Sequence, residues 1–445
     1  MHDRKAALPP SRWPGWIGVA LVIVVVLVAL IAAVGPGRDD DMRKVAALAI
    51  FVASYLALAI GKVPGLSIDR AGVALVGAGL MVASGVLSLE EAYQAIDLDT
   101  ITLLLGMMIV VASLRLSGFF AVATEWIAEH AKGPMVLLAA VTATSGLFSA
   151  FLVNDAICLV LAPLVLDLTL RMGRKPVPYL LAVALASNVG SSATITGNPQ
   201  NIMIGSFSQI PYASFTAALA PVAVVGLVIT VALVALLHRA DFTGGSVVAA
   251  KPARMRVNNV LVMRALGATA VMVVLFFLGQ PPAKAAIIIG GLLLLTRRMK
   301  SQRIYAEIDW SLLLMFAGLF IIVAGAQRAL LTPDLIGRVS YLHLDQIPVL
   351  SAVTAVLSNL VSNVPAVLLL KPFVAALPDH STAWLTIAMS STLAGNFTIL
   401  GSIANLIVVQ KAARRGVVIS FWDYFRVGAP LTLITLAIGT LWLAR

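Results

Sequence analysis

Cysteine, charge and aromatic rings are all scarce in this chain, and each shortage excludes something. Cys158 is the only cysteine among 445 residues, so the chain carries no internal disulfide and no multi-thiolate metal site. Charged residues make up 11% of it, against roughly a quarter in a soluble domain. Aromatic residues are 7%, while 60% of the chain is hydrophobic. A mean hydropathy of +1.00 leaves too little polar surface to face water. Those values exclude a soluble enzyme, a disordered scaffold and a disulfide-stapled secreted module. The chain also lacks a G-x-x-x-x-G-K-[ST] phosphate loop, a G-x-S-x-G elbow and an H-E-x-x-H pair. It is expected not to be an enzyme; an ion gradient or a separate ATPase must supply its energy. The histidines, His2, His130, His238, His343 and His380, fall in tails, loops or span ends. They predict no metal site and no cofactor.

What the chain does have is a series of long apolar runs. A bilayer core of about 30 Å takes about 20 apolar residues in helix. That ruler marks spans near 16–34, 44–61, 71–88, 100–117, 179–209 and 219–238, then near 257–278, 283–296, 310–327, 382–410 and 427–444. Two more stretches, 134–166 and 347–377, are too long for one simple span and carry Asn154-Asp155 and Ser362-Asn363 at their centres. Both read as re-entrant hairpins, which are tolerated where broken backbone lines a polar cavity. The expectation is an all-α polytopic membrane protein with about 11 transmembrane helices plus two re-entrant helical hairpins.

The net charge of +11 would suggest nucleic acid in a soluble protein, but here it reports orientation, because cytoplasmic loops collect Lys and Arg. With the N-terminus inside, 22 of the 31 Lys and Arg fall in cytoplasmic segments and 8 outside. Arg264, inside a span near its cytoplasmic end, can snorkel. The expected location is the bacterial inner membrane, with the N-terminus cytoplasmic and the C-terminus outside. The first apolar run, at about 19 residues, is long for a signal peptide.

Internal similarity organises the rest. Ile96-Asp97, Gly106, Ile109, Val111 and Ala112 return 212 positions later as Ile308-Asp309, Gly318, Ile321, Val323 and Ala324. SAFLVNDAICLVLAP from Ser149 aligns at an offset of 209 with SNLVSNVPAVLLLKP from Ser358. SNVGSSATITGNPQNIMI from Ser187 aligns at 204 with STLAGNFTILGSIANLIV from Ser391. The domain plan is therefore a tail with one extra helix at 1–43, a first repeat at 44–238, a cytoplasmic linker at 239–256 and a second repeat at 257–445. An odd number of crossings per repeat inverts one half relative to the other. Inverted repeats with discontinuous helices are the build of secondary transporters, with the solute near the midplane where the halves meet.

Polar residues concentrate at four breaks. Asn154-Asp155 and Ser362-Asn363 mark the hairpin tips, while Thr194 to Pro199 and Thr398 to Ser402 interrupt the two long spans. Gly197 and Gly401 let the backbone unwind, Asn198 and Ser402 cap the restarting helices, and Pro199 needs no donor in a first turn. Each restart presents free N–H groups and a partial positive charge, which suits an anion or an oxygen-rich neutral solute. The predicted solute site is Asn154, Asn363, Ser362, Thr194, Gly197, Asn198, Thr398, Gly401 and Ser402. Asp155 is the one carboxylate at the centre of a break. An intramembrane acid is costly unless protonated or paired, so Asp155 is the candidate proton carrier, and a capping role can coexist. Asp97 and Asp309 read as caps, and Cys158 as a packed thiol.

At these residues the chain resembles the ion transporter superfamily, which holds arsenite permeases, sodium/proton antiporters and dicarboxylate and citrate carriers. The resemblance runs from about Arg43 to the end. It implies a scaffold domain plus a transport domain built from the hairpins and broken helices, with rocking or elevator-like access. VNDAICLVLAPL at 153–164 looks like the arsenite/antimonite permease branch, whereas the sodium-coupled dicarboxylate carriers show Ser-Asn-Thr at both tips. This chain has Val-Asn-Asp and Ser-Asn-Val there, and NFTILGSIANLIV matches the arsenite branch only loosely. The resemblance implies proton-coupled efflux of arsenite and antimonite. The alternative it leaves is a sodium- or proton-coupled carrier of a dicarboxylate or other anion, and a membrane receptor on a degenerate transporter fold is a third reading. The proton, or sodium, is the expected coupling ion. The expected partners are a small inorganic or anionic solute and the lipid bilayer; a soluble ATPase subunit and a second copy of the chain are compatible with the resemblance.

Overall fold

The computed structural model describes residues 40–60, 68–242, 257–295, 299–330 and 342–445. The apolar run at 16–34 and the linker beyond Phe242 lie outside them. Every regular element among the described residues is helical. Seven helices there are long and apolar enough to cross a membrane, from Asp41–Ala59 to Phe421–Leu443.

Both long apolar stretches with polar centres are helical hairpins. The first runs Pro134–Phe151 and Asn154–Arg171, the second Ile347–Val361 and Asn363–Val374. Pro sits in the first turn of Pro134–Phe151 and of Ile347–Val361, where its missing N–H costs nothing. The spans expected at 179–209 and 382–410 are broken helices. Val177–Ser191 stops, a 3-10 turn Ile195–Gly197 follows, and Pro199–Ser208 restarts; likewise His380–Ala394, Ile399–Gly401 and Ile403–Ala413. Asn198 accepts from the Asn201 N–H at 2.8 Å and Ser402 from the Ala404 N–H at 3.3 Å, so both restarts are capped. The connection expected at 115–132 contains a helix, Phe119–His130. At 12 residues it is too short for the span ruler, and its polar end hides its apolar face.

The chain divides into two compact units, and each draws on both sequence halves. The smaller comprises the described parts of Met1–Asp97 and Trp310–Arg338. Its helices include Asp40–Ile60, Arg70–Ala83 and Trp310–Leu330. Asp69 caps Arg70–Ala83 by accepting from Gly72 N–H at 2.8 Å, and Glu91, part of a Ser88 capping box, pairs with Arg328. A Cβ on Gly318 would come within 2.6 Å of the Ala74 carbonyl carbon, so backbones touch there.

The larger unit holds Leu98–Asp309 and Val339–Arg445, with both hairpins and both broken helices. Its helices Leu98–Ser117 and Pro282–Leu294 make the matching contact: a Cβ on Gly106 would lie 2.6 Å from the Ala286 carbonyl carbon. Gly106 and Ala286 stand 212 positions from Gly318 and Ala74, so the repeat read in the sequence is also a repeat of close packing. Arg264 is not stranded in its span. Its guanidinium donates to Leu292 O and Leu295 O at 2.6 and 2.7 Å, satisfying the carbonyl end of Pro282–Leu294. The architecture is an all-α membrane protein of inverted repeats with discontinuous helices.

Candidate functional site

Each hairpin turns on a residue with positive φ directly before its asparagine. Val153 has φ 55° and Ser362 has φ 78°, and the two are 209 positions apart. A β-branched residue seldom adopts that conformation, and such strain persists only where the surroundings impose it, at a cost of about 1–3 kcal/mol. It delivers Asn154 and Asn363 to the first positions of the returning arms.

Asn154 is buried and donates from Nδ2 to Asn188 Oδ1 at 2.9 Å, while its own Oδ1 accepts the Asp155 N–H at 2.9 Å. Asn188, on Val177–Ser191, also accepts from Ser402 Oγ at 3.1 Å and donates to Asn396 Oδ1 at 2.9 Å and Asn405 Oδ1 at 3.0 Å. One buried amide thus makes four hydrogen bonds, its full complement. In the other half, Thr392 stands 204 positions on. Its hydroxyl accepts from Asn198 Nδ2 at 3.1 Å and Gln200 Nε2 at 3.2 Å, and donates to Asn201 Oδ1 at 3.4 Å. Each restarting helix is therefore held by the stopped helix of the opposite half.

Thr194 directs its hydroxyl to Ala150 O in the first hairpin and is fully buried, whereas Thr398 is half-buried. Gly197 and Gly401 are required by space: a Cβ would meet Ser191 O at 2.1 Å and Gly395 O at 2.8 Å respectively. Asn363 is half-buried and accepts from Ser358 Oγ at 2.7 Å; the same hydroxyl also lies 3.1 Å from Ser391 O. Ser362 is half-buried at the turn. No hydrogen bond among the described residues joins Asn154 to Asn363; the first tip bonds to Asn188, and the second to Ser358 of its own hairpin.

Asp155 is half-buried and faces the start of Ile403–Ala413, where the Ala404 N–H points at its carboxylate. The Asp309 carboxylate is its electrostatic neighbour. A carboxylate at a helix N-terminus is favourably placed. Cys158 lies one turn further along the same arm, fully buried beside the Ser187 hydroxyl. No cluster of His, Cys, Asp or Glu able to hold a metal occurs among the described residues. The network's hydrogen bonds come from amides and hydroxyls, without a lysine or arginine. Asn188, Asn201, Thr392 and Asn405 escape the sequence-predicted set. Asn201 and Asn405 carried a signal, being identical across the 204 offset; Asn188 and Thr392 differ, and only their polarity in apolar helices marks them.

Residues 55–394 match the citrate transporter family. The chain belongs to that family. Within reach of its members, an uncharacterised transporter of Mycobacterium tuberculosis is 31% identical over 429 residues, covering 90% of this chain and 97% of that one. A silicon efflux transporter of rice is 31% identical over 450 residues, covering 85% and 93%. A Dictyostelium discoideum protein that carries the name arsB is 24% identical over 492 residues, covering 84% and 87%. The crystal structure of the YdaH transporter of Alcanivorax borkumensis shares the fold, with a TM-score of 0.57 at 12% identity over 97% of both chains. With this family and these relatives, the chain is a membrane transporter.

Proposed function

We propose that this family member is a proton-coupled exporter of arsenite and antimonite in the bacterial inner membrane, oriented with its N-terminus in the cytoplasm. The observation that carries this reading is the composition of the network: amides and hydroxyls beside the carboxylate of Asp155, which has that of Asp309 as its neighbour, with no cationic side chain bonded into it. Arsenous acid in neutral water is an uncharged triol that needs hydrogen-bond partners and no counter-charge. Silicon, which names the rice relative's activity, also exists in neutral water as an uncharged hydroxide. Asn363, Ser362 and Thr398 are the predicted site residues with exposed side-chain surface, and they offer donors and acceptors to such a solute. Asp155 takes up a proton from outside and releases it inside as the solute leaves.

A second reading follows from the family's own description. Helix N-termini at the restarts and tips can hold carboxylates, and a citrate or other dicarboxylate carrier would use them. Expression in an arsenite-sensitive bacterium separates the two. The wild type raises arsenite tolerance, and Asp155→Asn abolishes that gain at equal protein abundance. No protection by the wild type, together with citrate uptake, would establish the second reading instead.

A further inference from the structure

The second broken helix and the last span are joined by a connection that carries cations and aromatic rings together. Gly416, at φ 80°, ends Ile403–Ala413, and the chain runs on to Ser420 before Phe421–Leu443 begins. Arg414, Arg415 and Arg426 are exposed and Lys411 is half-buried. None of them forms a salt bridge among the described residues, whereas Arg115, Arg171 and Lys175 of the same unit each hold a carboxylate. The acid of this segment, Asp423, is turned onto its own helix. It accepts the Ser420 N–H at 3.0 Å and the Ser420 hydroxyl at 2.7 Å in a capping box, with Arg426 and His238 as electrostatic neighbours.

Beside these cations the rings form one cluster. Phe421 stacks on Phe425 with centroids 5.4 Å apart, and Trp422 meets the two edge-on at 5.3 and 5.7 Å. Val418, Phe421 and Trp422 are exposed. On its inner side Phe425 meets Phe397 at 5.5 Å, and Phe397 directly precedes Thr398 of the second break. Phe421–Leu443 is long and apolar enough to cross a membrane, which sets its first turn at the level of the headgroups. Tryptophan is enriched there, and basic clusters there attract anionic lipids. The matching connection of the first half, from Gln209 to Pro211 between Pro199–Ser208 and Tyr212–Leu237, has no charge and no aromatic residue. The repeated architecture therefore does not require the cluster.

We propose that Lys411, Arg414, Arg415 and Arg426 bind the phosphate of an anionic phospholipid, whose glycerol and acyl chains lie against Val418, Phe421 and Trp422. Through Phe425 and Phe397 that lipid is joined to the second break. The site needs only that the chain spans a membrane, and does not depend on which solute is carried.

The test uses the full-length protein purified in detergent. Its melting temperature is followed as dioleoylphosphatidylglycerol, dioleoylphosphatidylcholine or inorganic phosphate is added. Phosphatidylglycerol raises the wild-type value saturably by a few degrees, and the other two leave it unchanged. The double variant Arg414→Gln, Arg415→Gln removes two cations and needs about thirty-fold more phosphatidylglycerol for half the effect. A control, Lys132→Gln with Lys300→Gln, loses the same charge at exposed positions elsewhere and responds as the wild type does. No response to phosphatidylglycerol overturns the proposal, as does an equal response to phosphatidylcholine, which would assign the effect to the tails. A full response to inorganic phosphate overturns it by making this a site for a free anion. Equal loss in both double variants overturns it by reducing the effect to net charge. If the arginine variant does not fold, Trp422→Ala, on the exposed rim, takes its place: it should lose part of the saturable response, and an unchanged response would count against the site.

Discussion

At the scale of single residues, the two strained turns differ in what relief would cost. Ser362 is half-buried, so Ser362→Gly removes little contact while relaxing a φ of 78°. It should raise stability by about 1 kcal/mol, the difference between strain of about 1–3 and the glycine entropy cost of about 0.5–1. Val153→Gly relaxes a similar angle but deletes an isopropyl group that is 4% exposed, worth about 1.5–3 kcal/mol, and should be neutral or destabilising. Melting curves of the two variants side by side check the contrast; equal stabilisation would mean that Val153 packs against nothing of consequence. Asn188 offers a second comparison. Asn188→Ala leaves Asn154, Asn396, Asn405 and Ser402 each short of a partner and should cost about 3 kcal/mol or more. Asn188→Thr should recover part of that loss, because Thr392 at the matching place bonds the opposite restart with one hydroxyl. A threonine variant no better than alanine would show that the two halves do not use the position alike.

Whole helices are largely legible in the sequence, for a physical reason. An apolar length near the bilayer thickness is a constraint on one element alone, so spans such as Leu98–Ser117 and Trp310–Leu330 appear within a few residues of where they were expected. The breaks were readable too, since Gly197-Asn198-Pro199 states an unwinding, a cap and a restart in order. Phe119–His130 was not, because a 12-residue helix meets no length requirement. Nor could sequence show which helix packs on which, and glycine placement carries that information. Gly106 and Gly318 meet backbone at 2.6 Å, whereas a Cβ on Gly79 or Gly291 would find nothing within 4 Å. Gly106→Ala and Gly318→Ala should therefore destabilise by about 1–3 kcal/mol through overpacking. Gly79→Ala and Gly291→Ala should be neutral or stabilise by up to about 1 kcal/mol, through helix propensity. Thermal melts of the set of variants test this; four equal shifts would remove close helix contact as the explanation.

At the scale of the molecule, the sequence halves and the compact units are cut differently. The helices Leu98–Ser117 and Trp310–Leu330 are repeat mates, yet they belong to different units, each packed on the second helix of the opposite half. Similarity between repeats says which elements correspond, and is silent on which partners they take. The same correspondence exposes a difference in burial. Thr196 and Leu400 are 204 positions apart, in the middle of the two 3-10 turns. Thr196 is 0% exposed, its hydroxyl 2.8 Å from that of Tyr212, while Leu400 is 77% exposed. The middle of the first break is covered by protein and that of its mate is not. Were the two repeats to exchange roles as access alternates, this inequality would mark one end of the cycle. In a Cys158→Ala background, which leaves no other thiol, Leu400→Cys should react quickly with a water-soluble maleimide and Thr196→Cys slowly. Adding solute together with an imposed proton gradient should draw the two rates toward each other, because it populates the state in which the first break opens. Rates that stay fixed under every gradient and solute tried would mean that the difference is built into the two halves rather than exchanged between them.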